Sequence, residues 1–498
     1  MVTRAVMLLV LTTTILIASC GGGSGSSSNS GSIGGGSVAD QVAACEATLP
    51  QLQTAGLASN AASVIVDSGP CAYGVPFGSP AGTAPFVFIL GTANAPYTSV
   101  TICMPGTGGT GSCQTIDHVL VDTGSAGLRL MASVLNSNVT LPAVSVNGVP
   151  LFECAQFADG YAWGAVRSAD ITIGGPNNNG ELAKSMNIEV IGDPSAGTAP
   201  TVCSNTGAAE NDVASFGANG VLGIGLFVND CATNATCPVL ANPLYYGCPT
   251  ANNCSAVATP SANQVANPVA SFVSTDFQGI MLDLPAITSA TGDENVYGSL
   301  VFGLDSQANN AIPSPASANV YVADAWGDLQ SSITSASPYA QSGLTCVNSF
   351  LDSGSNGIFL PSSVIPTLPT DANGWFIPNS TESMTAVITG ATGVLNLANN
   401  TNYPANASPS INLSIANADT SLFPANGGNN TAFNNLGGSS SGGGSCVGPP
   451  SGSETSANST AGIDWGLPFF YGRPVYVGNE FASVSFNGTT YATPFWAF

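Results

Sequence analysis

The chain has 498 residues, 44% of them hydrophobic and only 7% charged, with 5 Lys and Arg against 28 Asp and Glu and a net charge of −23. Such a surface cannot neutralise a run of phosphates, which excludes nucleic acid as a partner and leaves membrane contact only through a lipid anchor. The 59 Gly and 33 Pro, with many Ser, Thr and Asn, punctuate strand-sized runs of Val, Ile, Leu and Phe and predict an all-β fold rather than disorder.

At the N-terminus, Arg4 precedes an apolar run from Ala5 to Ala18. It falls short of the roughly 20 residues that span a bilayer but suits a signal-peptide core. Ile17-Ala18-Ser19-Cys20 is similar to a bacterial lipobox, so residues 1–19 read as a lipoprotein signal peptide and Cys20 as the lipidated residue. Residues 20–60 then comprise that Cys, a flexible Gly/Ser tether to Ser37, and a short segment from Val38 to Ala58 with weak helical character. The expected location is the bacterial cell envelope, either lipid-anchored at the outer membrane or periplasmic or secreted. Setting Cys20 aside leaves 12 of the 13 Cys, an even number suited to disulfides in an oxidising compartment. Cys103/Cys113, Cys231/Cys237 and Cys248/Cys254 are close enough in sequence for local staples, and Cys346 and Cys446 bracket most of the C-terminal third. No Cys/His metal spacing occurs and His118 is the only His, so neither a metal nor a cofactor is expected.

Strands are predicted at Ser63–Val66, Phe86–Leu90 and Ser99–Ile102, separated by turn-rich loops. The informative feature is a repeated element. Val119-Leu120-Val121-Asp122-Thr123-Gly124-Ser125 is echoed 230 residues later by Phe350-Leu351-Asp352-Ser353-Gly354-Ser355, and both return to apolar residues. A carboxylate at a strand end is aimed by the turn that follows. Gly permits close backbone approach, and the hydroxyls and turn amides of Thr123, Ser125, Ser353 and Ser355 are placed to orient the carboxylates. Two such turns brought together make a carboxyl pair sharing one proton, with Asp122 and Asp352 as the acid–base couple for activating a water. A third look-alike, Asp67-Ser68-Gly69-Pro70, lacks the final hydroxyl and reads as a turn Asp. By period-two counting His118 shares a strand face with Leu120 and Asp122, as a hydrogen-bonded strand His rather than a catalyst.

These motifs resemble the pepsin-like aspartic peptidases, in which each of two lobes supplies one Asp from an Asp-Thr/Ser-Gly-Ser/Thr turn. The resemblance covers most of residues 97–498, patchily. Phe157-Ala158-Asp159-Gly160 is similar to the flap hairpin, Gly220 to Gly225 to the segment that crosses under the first Asp turn, and Asp464 to Phe470 to its C-terminal counterpart. More narrowly, this tail resembles an uncharacterised family of bacterial proteins. The resemblance implies a bilobal double-barrel fold with a cleft. The N-terminal lobe would span 61–305 and the C-terminal lobe 306–498, with an Asn/Gly/Ser-rich insertion at about 390–462 in which Gly437 to Ser445 reads as flexible. Three departures stand out. The flap Tyr falls at Phe157, its Trp partner falls at Arg129, and residues 21–96 hold no Lys or Arg for a basic prosegment. A cation–π contact between Arg129 and Phe157 is expected in place of the usual pair. Phe157, Asp159, Gly160 and Arg129 are therefore the flap and substrate candidates. The function implied is a monomeric envelope endopeptidase acting on peptides or proteins. The alternative is a pepsin-like module that binds a peptide, glycan or protein partner without hydrolysis.

Overall fold

The computed structural model describes residues 37–498 apart from 77–78, 81, 232–235, 273–274, 314–319, 335–337, 397–400, 403–404, 441–445, 447–461, 481, 487–488 and 493. The expected signal peptide, Cys20 and most of the tether lie outside the described residues. The protein is mainly β, with one sheet of seventeen strands and another of seven. Among the described residues helix is confined to short pieces, the longest α-helix being Val38–Glu46, which opens on a capping box formed by Ser37 and Asp40. No described helix is long and apolar enough to cross a membrane.

The expected strands form as Ala61–Val66, Phe86–Ile89 and Pro96–Cys103. The large sheet crosses the boundary expected near residue 305. Strand Gly279–Leu284 pairs with both Val296–Phe302 and Arg473–Gly478, and Phe495–Ala497 continues it. The seven-stranded sheet lies wholly within residues 329–465. Its apolar faces and those of the large sheet share a core that includes Val119, Val121, Leu222, Leu351, Ile358 and Trp465. Burying such side chains is the main stabilising term in folds of this kind.

All twelve cysteines of the described chain are paired. Cys103–Cys113, Cys231–Cys237 and Cys248–Cys254 join as local staples, and Cys346–Cys446, Cys45–Cys71 and Cys154–Cys203 complete the set. Such a set fits an oxidising environment outside the cytoplasm. One expectation is corrected. Gly437–Ser440 is not a flexible linker but a strand lying parallel to Ile358–Pro361. Its glycines are there for room, since a Cβ on Gly438 would meet the Phe359 ring at 2.8 Å.

Each Asp turn is built in the same way. Strand Cys113–Asp122 turns into Ala126–Met131, and Gly220–Ile224 slots between them, parallel to the first and antiparallel to the second. Strand Cys346–Leu351 turns into Ile358–Pro361, and Asp464–Trp465 takes the corresponding slot. Val221 opposite Leu120 thus corresponds to Asp464 opposite Phe350.

Candidate active site

The two turns meet. A Cβ on Gly124 would lie 2.5 Å from Asp352 Cγ, and one on Gly354 would lie 2.7 Å from Asp122 Oδ1, so both positions require glycine for lack of space. The two carboxyls face each other across the turns, since that same Gly354 position would stand 3.2 Å from Asp352 Oδ1. Within each turn the carboxylate is held by its own loop. Gly124 N donates to Asp122 Oδ1 at 2.7 Å and Ser125 Oγ bonds Asp122 Oδ2. Gly354 N donates to Asp352 Oδ1 at 2.8 Å, and Ser355 Oγ bonds Asp352 Oδ2 at 2.9 Å.

Thr123 and Ser353 do something different from the expected direct orientation of the carboxylates. Thr123 Oγ1 donates to Leu351 O at 3.1 Å and accepts from Ser353 N at 2.9 Å. Ser353 Oγ donates to Val121 O at 2.7 Å and accepts from Thr123 N at 3.1 Å. The hydroxyls lock the two strand ends together, and the carboxyls are positioned as a result.

Two residues missed in the sequence also belong here. Asp464 Oδ2 lies 2.7 Å from Ser355 Oγ, which already contacts Asp352. A hydroxyl carries one hydrogen, so both contacts are hydrogen bonds only if one of the two carboxyls is protonated. Burial, then the charge of Asp122, pushes Asp464 up to about 8 despite the Ser355 bond. Burial also raises Asp352 well above the usual carboxylate range, with Asp122 and Asp464 adding to the shift. Aligning the two strand slots flags Asp464, because its counterpart is apolar. The second missed residue, Asn94, is fully buried and donates to Asn356 O and Phe433 O at 2.8 and 2.9 Å, bracing the chain just after the second turn. No local pattern marks it.

The flap candidates separate. Residues 157–160 do form the tip of a hairpin between Val149–Gln156 and Gly160–Ile173, closed by Phe157 N donating to Gly160 O at 2.8 Å. Asp159 faces Glu210 closely enough for its charge to act on that carboxyl. Burial, reinforced by Asp159, pushes Glu210 up to about 9. Gly160 is required where Ala208 O would meet a Cβ at 2.5 Å. The Arg129–Phe157 stack is overturned. Phe157 packs edge-on against Phe216, ring centres 5.5 Å apart. Arg129 is buried among three carboxyls, with Glu153 Oε1 at 2.6 Å, Glu189 Oε2 at 3.3 Å and Asp230 Oδ2 at 3.4 Å. One guanidinium balances one carboxylate. Burial, then the charge of Glu153, accordingly raises both Glu189 and Asp230. The physical reason is desolvation, because a buried cation is tolerable only when enclosed by partners. Arg129 is a scaffold residue rather than a substrate contact. Of the other cations, Arg167 pairs with Asp193 and Arg473 lies over the Phe469 ring.

Fold and site together define a disulfide-stapled β protein with two Asp turns joined at its centre. The chain belongs to the family described as "Protein of unknown function (DUF3443)", which matches residues 85–498. No curated protein matches it.

Proposed function

We propose that the protein is an aspartic endopeptidase of pepsin-like, bilobal design, working on peptides or proteins outside the cytoplasm. The observation that carries this reading is the meeting of the Asp122 and Asp352 carboxyls, each packed against the other turn's glycine inside two reciprocally bonded turns. Asp352, raised by burial and like charge, holds the shared proton, and Asp122 acts as the base. Asp122 takes a proton from a water while Asp352 gives its proton to the substrate carbonyl oxygen, as the water oxygen bonds to the carbonyl carbon. The neutral gem-diol then returns one hydroxyl proton to Asp352, and Asp122 delivers its proton to the departing amide nitrogen as the C–N bond breaks. The resting couple is restored. The hairpin ending in Phe157–Gly160 serves as the cover over bound substrate.

The test is cleavage of a peptide library by the purified mature chain from about pH 3 to about pH 8, with Asp122→Asn and Asp352→Asn as controls. Acid-favoured cleavage, lost in both variants while the melting temperature stays near that of the parent, supports the reading. Peptide capture without cleavage by a folded parent would replace it with the binding module.

A further inference from the structure

A second constellation lies on the strand that carries Asp122, five residues before it. Strand Cys113–Asp122 is bulged there. Thr98 pairs with Val119 and Val100 with Ile116, so Asp117 and His118 together face the single residue Ser99. A bulge of this kind re-aims side chains. His118 completes it at φ +46°, in the left-handed region that non-glycine residues enter only when their surroundings compel it. Neighbours that would point to opposite faces of a regular strand both turn toward the C-terminal end of helix Val38–Glu46, while His118 packs against Tyr97 on the face that also holds Leu120.

Three donor atoms converge. His118 Nδ1 is 3.3 Å from Asp117 Oδ2 and 3.9 Å from Glu46 Oε2, and all three lie within 4.8 Å of one another. Each is braced from behind. His118 Nε2 lies 3.2 Å from Asp67 Oδ2, whose other oxygen accepts from Gly69 N. Glu46 Oε1 accepts from Cys71 N at 2.8 Å, and Cys71 is itself disulfide-bonded to Cys45, next to Glu46. Asn219 Nδ2 reaches Asp117 Oδ1 at 3.4 Å. The atoms that face inward are unsatisfied, since His118 Nδ1 and Glu46 Oε2 are buried without a hydrogen-bond partner. The imidazole side chain is only 4% exposed, whereas that of Asp117 is 43% exposed and opens the cluster to solvent.

This is how a metal-ligating His is ordinarily held, with one ring N–H given to a carboxylate and the other nitrogen free to coordinate. Ligands about 2.0–2.1 Å from a tetrahedral ion sit roughly 3.3 Å apart, close to the His118–Asp117 separation. One imidazole with two carboxylates favours a zinc-class ion over Ca²⁺ or Mg²⁺, which take all-oxygen shells. We propose that His118 Nδ1, Asp117 Oδ2 and Glu46 Oε2 form a site for one divalent transition-metal ion, with solvent as the fourth ligand. The ion pins the N-terminal helix to the bulged strand. No single stretch of sequence displays such a site, because Glu46 comes from a helix and the other two ligands come from consecutive strand residues.

The experiment uses the mature chain with its disulfides intact, stripped with chelator and titrated calorimetrically with ZnCl₂ near neutral pH, with CaCl₂ and MgCl₂ in parallel. One equivalent of zinc should bind with micromolar or tighter affinity and raise the melting temperature. Asp117→Asn and Glu46→Gln should each weaken zinc at least tenfold and abolish that thermal shift. Asp117→Asn alters a half-exposed group and keeps the test sound if Glu46→Gln misfolds. Absence of saturable zinc binding to the parent overturns the site and leaves a proton between these groups. So does zinc binding unchanged in Asp117→Asn. Neither result bears on peptide hydrolysis.

Discussion

Thr123 and Ser353 each donate to the backbone carbonyl that precedes the other's Asp, and each receives the other's amide hydrogen. Four hydrogen bonds thus join two strand ends that are distant in sequence, and none of the four touches a carboxyl. Thr123→Val and Ser353→Ala each leave a buried amide unpaired, at a cost of about 1–3 kcal/mol. The double variant should lose less than the sum, because both changes break one unit. Urea unfolding of the three variants measures this, and fully additive losses would show that the two residues act independently.

Arg129 gives an outcome opposite to that of a substrate-contacting cation. Arg129→Ala strands Glu153, Glu189 and Asp230 in the interior, and removing one partner of a buried ion pair costs about 3–5 kcal/mol. The variant should melt well below the parent or fail to accumulate. A melting temperature within a degree or two of the parent would mean the cluster is not closed.

Asp464 should set the alkaline side of the activity profile. Its pKa of about 8 keeps it neutral in acid, where it donates to Ser355 and frees the serine hydrogen for Asp352. Once ionised, it draws that hydrogen away and adds a negative charge beside Asp352, which holds the Asp352 proton more firmly. Asp464→Asn and Asp464→Val remove the charge, so the alkaline fall of kcat/KM should move to lower pH by about one unit while the acid limb stays in place. Superimposable profiles would remove Asp464 from the acid–base machinery.

Stability should decline as pH rises. Burial, aided by a neighbouring carboxyl, raises Asp328 to about 8 and Glu210 to about 9, and Asp464 stands near 8. In the unfolded chain these groups release their protons near pH 4, so from about pH 4 to about pH 9 the native state binds more protons and loses ground as they are withdrawn. Asp193 works the other way. Burial would raise it, but Ser195 and Arg167 hold it low, and its contribution is lost as pH falls below about 4. For the metal-stripped chain, the melting temperature should peak near pH 4–5 and fall by roughly 5–10 °C toward pH 9. A flat or rising curve contradicts these shifts.

The paired turns were legible because the chemistry demands a particular small residue at each place, and two copies with matching flanks do not arise from composition alone. The disulfides with short spacing were legible because few other partners lie nearby. Arg129 was not, since its surroundings come from Glu153, Glu189 and Asp230, which converge only when separate segments fold together. The company of Asp117 was hidden by one bulge, because a single inserted residue turns it to the same side as its neighbour His118. The strand Gly437–Ser440 carries a linker's composition, and only the crowding around Phe359 and Ile415 explains its glycines. Asp464 stood in plain view, but its meaning depended on setting it against Val221.

That last correspondence makes the two turns alike in backbone and unlike in charge. Across from Asp464 stands Phe359, and across from Val221 stands Arg129, so each half carries an ionisable group where its twin carries a hydrocarbon or an aromatic ring. A molecule made from two copies of the first half would bring two guanidiniums and no third carboxyl. Two copies of the second half would bring two extra carboxyls and no internal cation. Neither arrangement reproduces the present molecule, in which one turn is backed by a buried cation and the other by a buried third carboxyl.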